Sequence, residues 1–216
     1  MNYKILSLSC KRNLPLNFDK IPVDRKKMSS PFKKTLTTIW DKYKNIGVQK
    51  PINPVMLSIG CGRSFETTDL FQFYGDTLKF YGIDIDREEI RVARSILTPK
   101  YESNSEFILG IGSDDESLSK IEPYNLLWIR HPNTYKAKEN WIAVFENSFE
   151  KLLEGGTFSS SYYFEKDYIV ALDIFHELGL SVDIAFKNDN CVPIHEVVDI
   201  NFAHDNYVIS VHKPFL

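Results

Sequence analysis

The sequence predicts a three-layer α/β fold, a mostly parallel sheet with helices on both faces, and three observations predict it. Short apolar runs, such as 55–59 and 124–129, alternate with helical patterns of ten or so residues, the rhythm of parallel strands joined through covering helices. The chain has 216 residues, which suits one compact α/β domain with a real core. Hydrophobic residues make up 43% and charged residues 25% of it, the balance of an ordinary globular protein.

The elements follow in order. Pro15, Pro22 and Pro31 punctuate residues 11–31 and argue against a long helix there. From Pro31 the pattern turns helical, with Phe32, Leu36, Ile39, Trp40 and Tyr43 at three- and four-residue steps. Ser30 is placed to cap that helix, Pro31 to fill its first position, and Gly47 to stop it. Beyond Pro51 and Pro54, strands are expected at 55–59, 78–84, 107–111, 124–129, 157–164, 180–186 and 207–212. Helices are expected at 67–74, 87–97, 141–153 and 168–178. Asp86 is the natural N-cap of the second of these. Gly155 and Gly156 are expected to end the third, and Gly179 the last. The domain boundaries read as a basic lead-in over 1–50 and the α/β domain over 51–216.

Charge is unevenly distributed. Residues 1–50 hold 12 Lys and Arg against 3 Asp and Glu, a net of +9, whereas residues 51–216 carry a net of -12. A basic arm on an acidic body fits an anionic partner; a solvated helix face docked on its own acidic domain is the plainer alternative. No run approaches the roughly 18–20 apolar residues a membrane helix needs, and the apolar N-terminal run breaks at Lys11 and Arg12, too soon for a signal peptide. A cytoplasmic protein with no membrane partner is expected. Cys10, Cys61 and Cys191 stand far apart, without a CxxC pair, so neither a zinc site nor a dithiol redox pair is expected.

Chemistry is expected beyond the carboxyl ends of the strands. There the first strand runs into Gly60-Cys61-Gly62-Arg63-Ser64. Gly60 permits a tight turn, and Gly62 lets a ligand approach backbone where a Cβ would collide. The dinucleotide version of this turn puts a third glycine at 65, where Phe65 stands, which weighs against NAD. Asp84 ends the second strand, 22 residues beyond Gly62, where a carboxylate accepts hydrogen bonds from ribose hydroxyls.

Residues 55–62, Val-Met-Leu-Ser-Ile-Gly-Cys-Gly, resemble the first motif of class I S-adenosylmethionine-dependent methyltransferases, an apolar strand ending in (D/E)-x-G-x-G-x-G. Gly82-Ile83-Asp84 resembles the second motif, 109–114 the third, 124–129 the fourth strand, and 152–158 the L-x-x-G-G-x-(F/L) stretch before the fifth. The resemblance covers roughly residues 50 to 216 and implies a Rossmann-like, seven-stranded sheet and S-adenosylmethionine as cofactor. It also implies that Gly60 and Gly62, with the backbone of Cys61, cradle the methionyl part, Asp84 holds the ribose, Ile85 flanks the adenine, and Asp114 approaches its amino group, with Asp115 as rival. Three positions depart from the pattern: Ser58 stands where an acidic residue is common, Ser64 where the last glycine falls, and Asn125 at a common Asp.

Methyl transfer from a sulfonium mainly requires in-line positioning of a nucleophile, with a base only where the acceptor loses a proton. The acceptor side is expected just after the fourth strand, at 128–133. There Arg130 suits a carboxylate or phosphate and His131 a general base; a plain turn at His131-Pro132 is the alternative. Tyr135, Trp141, Tyr162, Tyr163 and Phe164 gather aromatic surface nearby, suited to a planar acceptor or to core packing. His195, His204 and Asp205 fall in a late segment that can line a pocket. The expected activity is methyl transfer to a small or anionic acceptor. The alternatives are an RNA-modifying methyltransferase using residues 1–50 and a non-catalytic S-adenosylmethionine-binding module. The oligomeric state stays open.

Overall fold

The computed structural model describes residues 25–193 and 203–215. In chain order they form α1 (Arg25–Asn45), β1 (Val55–Ile59), α2 (Thr67–Tyr74), β2 (Lys79–Asp84), α3 (Arg87–Ile96), a 3-10 helix (Pro99–Asn104), β3 (Ser105–Leu109), α4 (Asp115–Leu118), β4 (Tyr124–Arg130), α5 (Lys138–Lys151), β5 (Leu152–Tyr162), α6 (Glu165–Glu177), β6 (Ile184–Lys187), β7 (Val192–Pro193), β8 (Ala203–His204) and β9 (Tyr207–His212). Seven strands make one sheet in the order β3-β2-β1-β4-β5-β9-β6, and β7 pairs with β8 in a separate ribbon. The first five are parallel, and β9 inserts antiparallel between β5 and β6. The expected three-layer, mostly parallel seven-stranded sheet is therefore present.

Side-chain alternation along the strands fills both faces. Leu57, Ile59, Leu127 and Ile129 point to one face, where they join Phe145, Phe158, Ile174 and Phe175 in one cluster. Met56, Leu126 and Trp128 point to the other, where they meet Phe32, Leu36, Ile39 and Tyr43 of α1, and Leu70 and Phe71 of α2. A residue period of two on each strand allows this, since successive side chains leave opposite faces. Helix α1 thus shares one core with the sheet. Its Tyr43 hydroxyl is hydrogen-bonded to Ser210 of β9 at 2.7 Å, Thr35 accepts from Asn188 at 2.8 Å, and Phe32 meets Trp128 edge-on at 5.8 Å. Among the described residues no helix is long and apolar enough to cross a membrane.

Two local expectations are corrected. Helix α1 does not begin at Pro31; it already runs at Arg25, with Pro31 inside it. Burial of Phe32, Leu36, Ile39 and Tyr43 outweighs the backbone hydrogen bond that an internal proline removes. Gly155 and Gly156 do not end α5, which stops at Lys151; they lie inside β5. There the register between β4 and β5 slips between Tyr124 and Leu126, and Gly155, at φ 73°, takes the conformation that the irregularity requires.

Candidate functional site

The strand order reverses between β1 and β4: from β1 the sheet continues through β2 to β3 on one side and through β4 to β5 on the other. Ligands of open α/β sheets bind in the crevice outside the carboxyl ends at such a point. The glycine turn after β1 rims that crevice. Gly60 has φ 63° and Gly62 φ 53°. A side chain at Gly60 would meet nothing within 4 Å, so the space above it is open to a ligand. The Cys61 amide donates to the Ile83 carbonyl at 3.0 Å, tying the turn to the end of β2, and its thiol is buried.

Asp84 stands where the ribose acceptor was expected. Its carboxylate takes the Gly62 amide on one oxygen and the Asp86 amide on the other, both at 2.8 Å. Burial raises its pKa, against those two amides, which favour the charged form. A carboxylate offers about four acceptor positions, so two remain beside the two amides. Ile85, next along, is 49% exposed, an apolar platform beside that acceptor. The open turn, the oriented carboxylate and the exposed isoleucine together suit an adenosine-bearing cofactor. Asp114 caps α4 instead of standing free: its Oδ2 accepts from the amide and hydroxyl of Ser117, each at 3.0 Å. These bonds hold its pKa below the usual carboxylate range.

Across the crevice, the end of β4 carries a buried charge network. The Arg130 guanidinium donates to both oxygens of Asp205, from Nε at 3.1 Å and from Nη2 at 2.6 Å. Its Nη1 lies 3.2 Å from Glu66. Burial alone would lower the arginine pKa, but the two carboxylates raise it above its ordinary value. Burial likewise works against the Asp205 charge, yet Arg130 and His131 hold its pKa well below the ordinary range. Glu66 goes the other way: burial raises it further than Arg130 lowers it. Nε2 of His131 lies 3.1 Å from both the amide and Oδ1 of Asp205, and burial depresses the histidine pKa against that carboxylate, which raises it. That ring stacks on Tyr163 at 3.6 Å. His204 sits 5.4 Å from it. Arg130 and His131 thus lie together at the end of β4, both engaged with Asp205. His195 lies outside the described residues.

Sequence reasoning missed Glu66 and left Asp205 as one of several loop residues. No local sequence pattern marks either residue; in the structure, backbone strain marks Asp205 but not Glu66, whose φ is -77°. Among the described residues only Ser64, His131 and Asp205 combine a side chain with positive φ, at 49°, 55° and 53°. Such conformations cost of order 1–3 kcal/mol each and cluster at functional sites. All three line this crevice or its network. Ser64 occupies the position of the third glycine in the turn, keeps the glycine-like backbone, and bonds its hydroxyl to Thr67 at 2.7 Å.

A turn open to ligand, a carboxylate fixed at the end of β2 and a strand-order switch define the class, an α/β domain built around a nucleoside-bearing cofactor. Residues 53–188 match the family model described as a methyltransferase domain. The chain belongs to that family; it is an S-adenosylmethionine-dependent methyltransferase, and S-adenosylmethionine is its cofactor. No curated protein matches it in sequence. Among solved structures it is similar to Aeropyrum pernix fibrillarin in complex with S-adenosylmethionine, at 15% identity, TM-score 0.57, over 76% of this chain and 69% of that one. It is also similar to a ribosomal RNA methylase from Streptococcus thermophilus, at 15% identity, TM-score 0.53, over 76% and 89% of the two chains. A precorrin-6y C5,15-methyltransferase from Geobacter metallireducens matches at 14% identity, TM-score 0.53, over 74% and 80%. At such identities the likeness concerns the fold.

Proposed function

We propose that the methyl acceptor is a small, anionic molecule carrying a planar group, held beyond the ends of β5, β6 and β9. The observation that carries this reading is a cleft of about 400 Å³ lined by Phe164, Glu165, Tyr168, Lys187 and Tyr207. That volume is in the range of small-ligand sites. Tyr168 and Tyr207 stack at 5.1 Å and give the cleft an aromatic wall suited to a planar ring. Lys187 supplies a cation for an acidic substituent. The cleft adjoins the Arg130–His131 network through Tyr163 and Phe164, whose rings meet at 6.3 Å.

In this reading each residue has a stated part. Gly60 and Gly62, with the Cys61 backbone, receive the methionyl end; Asp84 accepts from the ribose hydroxyls; Ile85 flanks the adenine; and Asp114 stays near its amino group. The bound cofactor supplies an electrophilic methyl group on a sulfonium. The chain positions the acceptor in line with that methyl and keeps water out. Arg130 and His131 form the wall between the two ligands. Arg130, whose charge is taken up by Glu66 and Asp205, offers its remaining N–H groups to an acceptor oxygen, Lys187 meets the acceptor's negative charge, and His131 serves as base only for an acceptor that loses a proton. The test is calorimetric titration with S-adenosylhomocysteine and, separately, NAD, followed by a screen of aromatic acids for methyl uptake. Binding of S-adenosylhomocysteine alone, and uptake that Lys187→Ala abolishes, are expected. Uptake unaffected by Lys187→Ala would move the acceptor elsewhere.

A second reading takes RNA as the acceptor, through the basic residues 1–50. It is favoured by exposed Lys34, Lys42 and Lys44 on α1, since phosphate contacts need such cations. Because α1 is part of the core, its charges are best reversed in place. A salt-sensitive RNA complex lost in Lys34→Glu/Lys44→Glu would select this reading.

A further inference from the structure

We propose that Glu66 is a donor-specificity residue. Its buried carboxylate gives the cofactor crevice a net negative charge, so the site prefers the cationic sulfonium of S-adenosylmethionine to the neutral thioether of the demethylated product. The inference rests on the cofactor reading above and adds to it a reason for discriminating between donor and product.

Glu66 is the N-cap residue of α2, yet its side chain makes no capping hydrogen bond. It turns instead toward Arg130 at the end of β4. Strands β1 and β4 are neighbours, with Ile59 opposite Ile129, so a carboxylate reaching from just after the glycine turn to Arg130 spans the crevice at the switch point. Asp84 marks the ribose side at β2. The methionyl end and its sulfur therefore lie toward β4, where Glu66 and Arg130 meet.

Counting charges gives the sign. Arg130 is one cation facing two carboxylates, Glu66 and Asp205. His131 and His204 are neutral, and Asp84 adds another carboxylate on the ribose side. Arg63 lies 3.3 Å from Glu89, so its charge is balanced locally. The network is shielded from water: the side chains of Arg130, Glu66 and Asp205 are 13%, 8% and 6% exposed. Charges in such a setting interact through a lower effective dielectric and escape much of the salt screening. A structural strut alone would not need the charge. Asp205 already grips Arg130 through two nitrogens, and a neutral amide at position 66 would still accept from Nη1.

The donor and its product share the adenosine, the amino group and the carboxylate, and differ in the methyl group and the charge at sulfur. Loss of shape at position 66, or of an attraction to the shared ammonium group, therefore weakens both ligands alike, whereas loss of an attraction to the sulfonium weakens only the donor. The experiment is calorimetric titration of wild type, Glu66→Gln and Glu66→Asp with S-adenosylmethionine and with S-adenosylhomocysteine. We expect Glu66→Gln to raise the Kd for S-adenosylmethionine about tenfold, about 1.4 kcal/mol, with the Kd for the product unchanged within twofold. Glu66→Asp, which keeps the charge on a shorter stem, should keep the wild-type ratio of the two constants even where both affinities fall. Parallel weakening of both ligands in Glu66→Gln, or no change in either, would overturn the inference while leaving the cofactor reading intact. A wild-type protein that binds neither ligand would overturn the cofactor reading itself.

Discussion

At the scale of single residues, the crevice depends on a few groups held in demanding conformations. Asp84 is fixed by two amides, so its geometry survives without ligand. Asp84→Ala should weaken S-adenosylmethionine binding at least tenfold, about 1.4 kcal/mol, as read by calorimetry; an unchanged Kd would remove Asp84 from the site. Ser64 makes the opposite kind of prediction. At φ 49° its Cβ carries a left-handed penalty of roughly 1–2 kcal/mol, offset in part by its 2.7 Å hydrogen bond to Thr67, which nets about 1 kcal/mol. Ser64→Gly should therefore leave thermal stability level or slightly raised and preserve cofactor affinity. A clear fall in the melting temperature would mean that the serine hydroxyl, rather than the backbone, sets the turn.

At the scale of elements, strands were the most legible part of the sequence, because a buried parallel strand is a continuous apolar run bounded by turn residues. Val55–Ile59 and Tyr207–His212 stand where their patterns put them, and Asp86 caps α3 by accepting from Glu88 and Glu89. Misread elements share one cause, tertiary burial overruling a local breaker. Pro31 reads as a start and lies inside α1; Gly155 and Gly156 read as a stop and lie inside β5. The candidate site was half legible. Gly60, Gly62 and Asp84 sit next to one another in sequence patterns. Glu66, Arg130 and Asp205 meet only through the fold, across separations that no local spacing encodes. The proline yields a prediction at this scale. Pro31→Ala restores an amide to the helix interior and should stabilise the protein by about 1–3 kcal/mol, visible as a raised midpoint in chemical denaturation. No change would mean that the helix is already interrupted there.

At the scale of the whole molecule, the end of the sheet closes over two histidines that the folded state keeps neutral. Burial depresses the His131 pKa, and for His204 it brings the value down to about 3, with His131 and Arg130 pushing the same way. The His204 Nδ1 is buried without a hydrogen-bond partner. An unfolded histidine takes up its proton near pH 6.5, while the folded one resists, so this contribution to stability is fully present above about pH 6.5 and is lost as pH falls below it. Glu66 acts with the opposite sign, because its raised pKa lets the folded state accept a proton first, but it is common to wild type and to any variant at 204. His204→Phe keeps a ring against Tyr163, which lies 5.2 Å away, and removes the titration. Between pH 7 and pH 5 the wild type should lose up to about 2 kcal/mol more stability than His204→Phe, measured by denaturant unfolding at each pH. Equal losses in the two proteins would take the acid sensitivity away from His204 and leave it with His131, whose pKa burial also depresses; the depressed carboxylate of Asp205 holds its stabilisation until the solution is far more acidic.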